Sequence, residues 1–378
     1  MTLTLSRRRL SAVAVVVAAI VGLAACGSSS SSSSTSSGTP AASSSSSTSS
    51  SSGGSETING AGSTFAAPIY GQWGQNLSSQ GLTVNFNPLG SGAGIAGLQG
   101  STIDFAGSDP AEKPTEVSAG KGPVLQFPIA FGAITVSYNL SGVKAGLKLD
   151  GKTLAEIFLG TIKTWNDPAI KALNPGISLP STPITVVHRS DSSGTTKGFV
   201  TFLADYDPQW VKVAGVPDKT AKWPVGTGAP KNAGVAGAIK QTPGAIGYVE
   251  QAYALQNGFT TAAIKNKAGQ FVVPTLAAAS AAALGAKVPP DLTVSTINAG
   301  GATSYPITSQ TFIVIYKDMC KAGRSQSATQ GVKKFLTYGL GAGQKVEQQL
   351  DYAPLPAPLL AKATAQLTKM TCNGSPVS

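Results

Sequence analysis

The sequence predicts an α/β fold of two domains, and three observations carry that prediction. Beyond residue 55 roughly 320 residues remain, too many for one comfortable core. Short runs of β-branched and aromatic residues alternate with longer stretches of helical period, which argues for α/β architecture with largely parallel sheets. Four times, a strand-like run ends in glycine and hydroxyl residues just before a helical stretch.

The N-terminus is set apart from that fold. It reads MTLTLSRRRLSAVAVVVAAIVGLAAC. Arg7, Arg8 and Arg9 precede an apolar run of about 16 residues, short of the roughly 20 that a membrane span needs, so residues 1–25 are expected to be an export signal. The stretch LAAC resembles a lipobox, in which Cys26 becomes the lipidated first residue. An ordinary signal peptide cut near Ala25 is the alternative. Residues 26–55 are mostly serine and carry no charge. Such a segment cannot bury enough surface to offset its ordering entropy, and it is expected to be a flexible tether with a reach on the order of 30 Å. Together these features predict an exported protein, lipid-anchored to the outer face of the cytoplasmic membrane.

The formal charge of +11 falls to +8 once the three leader arginines are removed. No dense basic run is interleaved with aromatics, so a nucleic-acid partner is not expected. Cys320 and Cys372 remain as an even pair in an oxidising compartment and are expected to be bridged, two separate buried thiols being the alternative.

Along the chain, strands are expected at residues 83–89, 102–108, 133–140, 184–190, 245–251 and 311–317. Helices are expected at 67–77, 153–160, 196–206 and 331–340. In the third of these, Phe199, Phe202 and Leu203 share one face, as core residues do. The four junctions place Ser63 and Thr64, Ser91, Ser108 and Asp109, and Ser193 to Thr195 at strand ends that lead into helices, the last of them opened by HRSDSSGTTKGF and the third by Pro110. One such hydroxyl is an ordinary cap, and Asp109 with Glu112 suits a capping box. Four of them aim hydroxyls and free N–H groups off the carboxyl ends of strands, where α/β sheets bind ligands and where helix N-termini hold anions. Arg189 adds a planar fork suited to a tetrahedral oxyanion.

Two other readings are weaker. GAGIAG, residues 92–97, matches a dinucleotide fingerprint but lacks the acidic residue about 20 positions on. His188, Asp191 and Ser193 name a hydrolase triad, yet they lie on one strand-to-turn segment, where base and nucleophile cannot face each other. On a strand His188 and Arg189 point to opposite faces, so His188 faces away if Arg189 faces a cleft. No catalytic residues, cofactor or metal are expected.

With those residues in view, the chain resembles the phosphate-binding proteins of bacterial ABC phosphate uptake systems, the PstS type. The resemblance rests on GAGSTFAAPIYGQW, GSGAGI, DFAGSD, LDGKTLAEIFLGTIKTWNDPAIKALNPG, HRSDSSGTTKGF, TPGAIGYVE and YPITSQTFIVI, in that order. It implies a two-lobed periplasmic-binding-protein fold of class II type, with crossings near Phe127 to Phe131 and near Tyr305 to Thr308. Lobe I would comprise 56–131 plus 306–378, and lobe II 132–305. It also implies a monomer that binds inorganic phosphate and hands it to the membrane subunits of an ABC permease. The implied phosphate contacts are Thr64, Phe65, Ser91, Asp109, Arg189, Asp191, Ser193, Gly194 and Thr195. Asp109 would accept the proton that phosphate carries near neutral pH and sulfate does not. Ser192 stands where the family usually has glycine, which would strain the loop if that position needs a positive φ. Gly92 and Ala93 stand where it usually has serine and glycine. An exported phosphoesterase and a binding protein for another oxyanion are the rival functions.

Overall fold

The computed structural model describes residues 56–284 and 286–377. The expected signal peptide, Cys26 and the serine tether lie outside the described residues. The main sheet contains β1 (Glu56–Gly62), β2 (Leu82–Asn87), β3 (Phe105–Ser108), β4 (Val124–Tyr138), β5 (Thr185–Arg189), β6 (Thr227–Ala229), β7 (Ala245–Glu250) and β8 (Thr308–Tyr316). Its strand order is β2-β1-β3-β8-β4-β7-β5-β6. The helices that matter for the site are α1 (Ala67–Ser78), α2 (Ser91–Gln99), α3 (Gly194–Tyr206), α4 (Lys231–Gln241) and α5 (Gln326–Gly339).

The expectation of largely parallel sheets is correct at the two ends and wrong in the middle. β1 runs parallel to β2 and β3, and β5 runs parallel to β6 and β7. The centre is antiparallel: β8 pairs with β3 and β4, and β4 pairs with β7. The cause is connectivity, because β4 and β8 are the long strands that carry the chain between the two parallel halves. β4 changes partner along its length. Phe127 to Phe131 are paired with β8, and the switch falls between Ala133, opposite Thr308, and Ile134, opposite Glu250. There the Ile134 N–H donates to the Ile307 carbonyl at 2.8 Å.

Each half has its own aromatic centre. In one, Tyr70 and Trp73 of α1 pack edge-on against Phe335 of α5, and Tyr70 also meets Phe105 of β3. In the other, Phe199 of α3 stacks on Tyr248 of β7 at 4.3 Å, with Phe158 and Trp223 beside them. These rings are core, as the helical spacing of Phe199, Phe202 and Leu203 predicts; all three are buried. Fully burying a side chain of this kind contributes about 1.5–3 kcal/mol.

One expected helix is absent. Pro110 does not open a helix: a cis Asp109–Pro110 bond turns the chain, and the next helical turn begins only at Pro114. The Asp109–Glu112 capping box is therefore not formed. Glu112 instead accepts from the Ser108 hydroxyl and pairs with Lys219. Near the C-terminus a disulfide joins Cys320 to Cys372, 52 positions apart. Among the described residues no helix is long and apolar enough to cross a membrane.

Candidate functional site

The carboxyl ends of β1, β3 and β5 and the N-termini of α2, α3 and α4 converge where the two parallel halves meet. At this meeting point the packing leaves no room for side chains at several positions. Gly90, with φ of 100°, turns the chain into α2 in a conformation that L residues rarely adopt. A β-carbon on Gly194 would lie 1.5 Å from the Asp109 carbonyl oxygen. One on Gly92 would lie 2.2 Å from the Ser192 hydroxyl, and the Gly92 N–H donates to the Ser192 carbonyl at 3.2 Å. Ser192 is not among the residues with positive φ. The strain expected at this serine is thus absent, and the space its side chain occupies is the space that Gly92 leaves open.

Arg189 is almost fully buried at the end of β5. Its guanidinium makes a two-pronged ion pair with Asp191, the Nε bond measuring 2.7 Å. Burial alone would raise the Asp191 carboxyl, but the Arg189 bonds and charge outweigh it, and with the Lys231 N–H at 2.9 Å they hold it below the usual carboxylate range. Lys231 has φ of 64°, a strained conformation that aims its N–H at Asp191. Asp191 thereby fixes the plane of the Arg189 fork. His188 points to the opposite face, as alternation along a strand requires. Its ring lies flat on Trp223 at 4.6 Å, and its Nδ1 faces the Arg189 carbonyl. Burial lowers its pKa.

The hydroxyls of the site are arranged in a common way. Ser91 Oγ accepts the N–H of Asp109 at 3.4 Å and of Gly194 at 3.3 Å. Thr195 Oγ1 accepts from Arg189 at 3.5 Å and from Asn232 at 3.4 Å. Thr64 Oγ1 accepts the Asn232 amide at 2.9 Å. Ser193 caps α3, its Oγ accepting the Thr196 N–H at 3.3 Å. Phe65 is buried, with its carbonyl held by Tyr352 Oη at 2.6 Å. Against Gly194 and Ser91 stands Asp109, 1% exposed. Its Oδ1 accepts from Ser63 and, at 3.2 Å, from Thr311. Burial raises its pKa to about 6, and the bonds from Ser63 and Thr311 and the charge of Arg189 limit the rise. At neutral pH it is a buried carboxylate with acceptor capacity to spare.

Sequence reasoning missed Ser63 as an Asp109 partner, and missed Thr311, Asn232 and Tyr253. Asn232 had a signal. TGAPKNAGVAG is a fifth strand-to-helix junction, hidden because its strand is only 3 residues long. Ser63 and Thr311 reach Asp109 from sites 46 and 202 positions away, a contact no local pattern encodes.

Residues 43–342 match the PBP superfamily domain. The phosphate-binding protein PstS of Pasteurella multocida is 41% identical over 82% of this chain and 90% of its own length. The PstS of Haemophilus influenzae is 39% identical over 82% and 92%. Among solved structures, the high-affinity periplasmic phosphate-binding protein PfluDING, bound with phosphate, superposes with a TM-score of 0.67 at 25% identity, covering 82% of this chain and 93% of that one. With that similarity running through both halves and both crossing strands, the chain belongs to the PstS family of phosphate-binding proteins and has the periplasmic-binding-protein fold.

Proposed function

We propose that this protein binds inorganic phosphate between two lobes outside the cytoplasm and delivers it to the membrane subunits of an ABC permease. The observation that carries the reading is the opposition of two walls. One presents the Arg189 fork and hydroxyls already saturated as acceptors; the other presents Asp109, a buried acceptor. A tetrahedral anion that still carries a proton satisfies both walls. Sulfate would leave a desolvated carboxylate facing an oxygen, which costs about 1–3 kcal/mol or more.

Thr64, Phe65, Ser91, Asp109, Arg189, Asp191, Ser193, Gly194 and Thr195 form the site. The lobes are 56–131 plus 306–378 and 132–305, and the close backbone approaches at Gly92 and Gly194 suit a closed form. The protein is a carrier and not an enzyme: His188 is stacked on Trp223 and Ser193 caps a helix, so these two do not form a base–nucleophile pair. Calorimetric titration with phosphate, sulfate and arsenate tests the reading. It predicts tight binding of phosphate and weak binding of sulfate, and heat only from sulfate would refute it. Purified protein should release no alkoxide from a phosphate ester. Lipidation at Cys26 holds the protein at the membrane, so Cys26→Ser should move it from the membrane fraction to the medium.

A further inference from the structure

We propose that Asn232 is a positioning residue that makes Thr64 and Thr195 obligate hydrogen-bond donors toward the bound anion. The proposal rests on the phosphate reading above. Asn232 is 0% exposed, near the N-terminus of α4. Its Oδ1 accepts the Glu250 N–H at 3.1 Å. A backbone N–H can only donate, so the amide oxygen must face it and the NH2 group must face the other way. On that side stand the two threonines. Nδ2 donates to Thr64 Oγ1 at 2.9 Å and to Thr195 Oγ1 at 3.4 Å.

A hydroxyl has two acceptor lone pairs and one proton. Thr64 Oγ1 also receives the Asn232 backbone N–H at 3.4 Å, and Thr195 Oγ1 also receives Arg189 Nη1 at 3.5 Å. Both lone pairs of both oxygens are therefore committed to N–H donors. Each hydroxyl proton must then go to a third atom, and an anion oxygen meets that need. The two threonines come from chain segments 131 positions apart, and one buried amide orients both. The Tyr253 hydroxyl, donating to the Thr64 carbonyl at 2.9 Å, keeps that residue in reach.

The test is a set of phosphate titrations on the full protein. Asn232→Ala frees both hydroxyls to rotate and should weaken phosphate binding about 10- to 100-fold. Asn232→Asp, nearly the same size, should lose at least as much, because a carboxylate accepts those hydroxyl protons and draws them away from the anion. In a Thr64→Val, Thr195→Val background, Asn232→Ala should change affinity by no more than about twofold, since the groups it acts through are gone. A packing role would not show this dependence on the two hydroxyls. Full additivity in that background would overturn the proposal, as would affinity within about twofold of wild type for Asn232→Ala or Asn232→Asp. Failure of the wild type itself to take up phosphate would overturn the functional reading, a result distinct from wild-type binding that ignores Asn232.

Discussion

Gly194 and Asp109 meet across the site so closely that a β-carbon on the glycine would lie 1.5 Å from the aspartate carbonyl oxygen and 2.3 Å from its Oδ2. The first atom is backbone and cannot swing aside. Gly194→Ala should therefore block the closed arrangement while leaving each half folded. Phosphate affinity should fall about 10- to 100-fold, with little change in unfolding temperature. Titration and thermal unfolding of the same sample check this.

Arg189 and His188 are neighbours with opposite fates. Arg189→Ala removes the fork and leaves Asp191 half-buried without its countercharge. Tight phosphate binding should disappear, a loss of about 1000-fold or more. His188→Gln should cost stability through lost stacking on Trp223, on the order of 1 kcal/mol, and leave affinity within about threefold. Paired titrations and denaturant unfolding separate the two effects.

Glu112 and Lys219 form an ion pair between the segment after β3 and the loop after Ala214, with side chains 5% and 14% exposed. The Lys219 carbonyl also accepts the Ser193 N–H at 2.9 Å, which ties the pair to the anion loop. Lys219→Met leaves Glu112 unpaired and should speed phosphate release by about tenfold or more. Adding Glu112→Gln should recover part of that loss. Stopped-flow release rates for the two single variants and the double variant measure the coupling.

Asp109 is held at a cost. Its pKa in the folded protein is raised to about 6 from an ordinary value of 3.8, chiefly by burial. A carboxyl raised in this way favours folding fully below its unfolded pKa and loses that contribution as pH rises through the folded one. Without ligand, Asp109→Asn should therefore be more stable than wild type above about pH 6, by about 3 kcal/mol, and the difference should shrink toward about pH 4. Unfolding midpoints of both proteins across that window test it.

The parts of this fold visible in the sequence are those with local period. Strand and helix alternation, the Phe199–Phe202–Leu203 face and the hydroxyls at strand ends all repeat within a few residues, so they can be read directly. The antiparallel centre could not be read, because pairing of β8 with β4 joins residues far apart in sequence and no composition marks its direction. Pro110 looked like a helix opener because proline suits a first turn; the turn at Asp109 and the claim of Glu112 by Ser108 and Lys219 override that preference. The resemblance to phosphate-binding proteins names the candidate contacts. It was silent on the groups that orient them, Asn232 for the threonines and Ser63 with Thr311 for Asp109.

The central claim is that a buried carboxylate selects an anion that carries a proton. Its most direct test is paired calorimetric titration of wild type and Asp109→Asn with phosphate and with sulfate, at about pH 8 and about pH 5. At the higher pH wild type should prefer phosphate by about 100-fold or more. That preference should narrow at the lower pH, where Asp109 takes up its own proton and can donate. In Asp109→Asn, whose amide can donate at any pH, the preference should be small and unchanged between the two conditions. An equal phosphate-to-sulfate ratio for the two proteins at about pH 8 would contradict the account, even if both bind phosphate tightly.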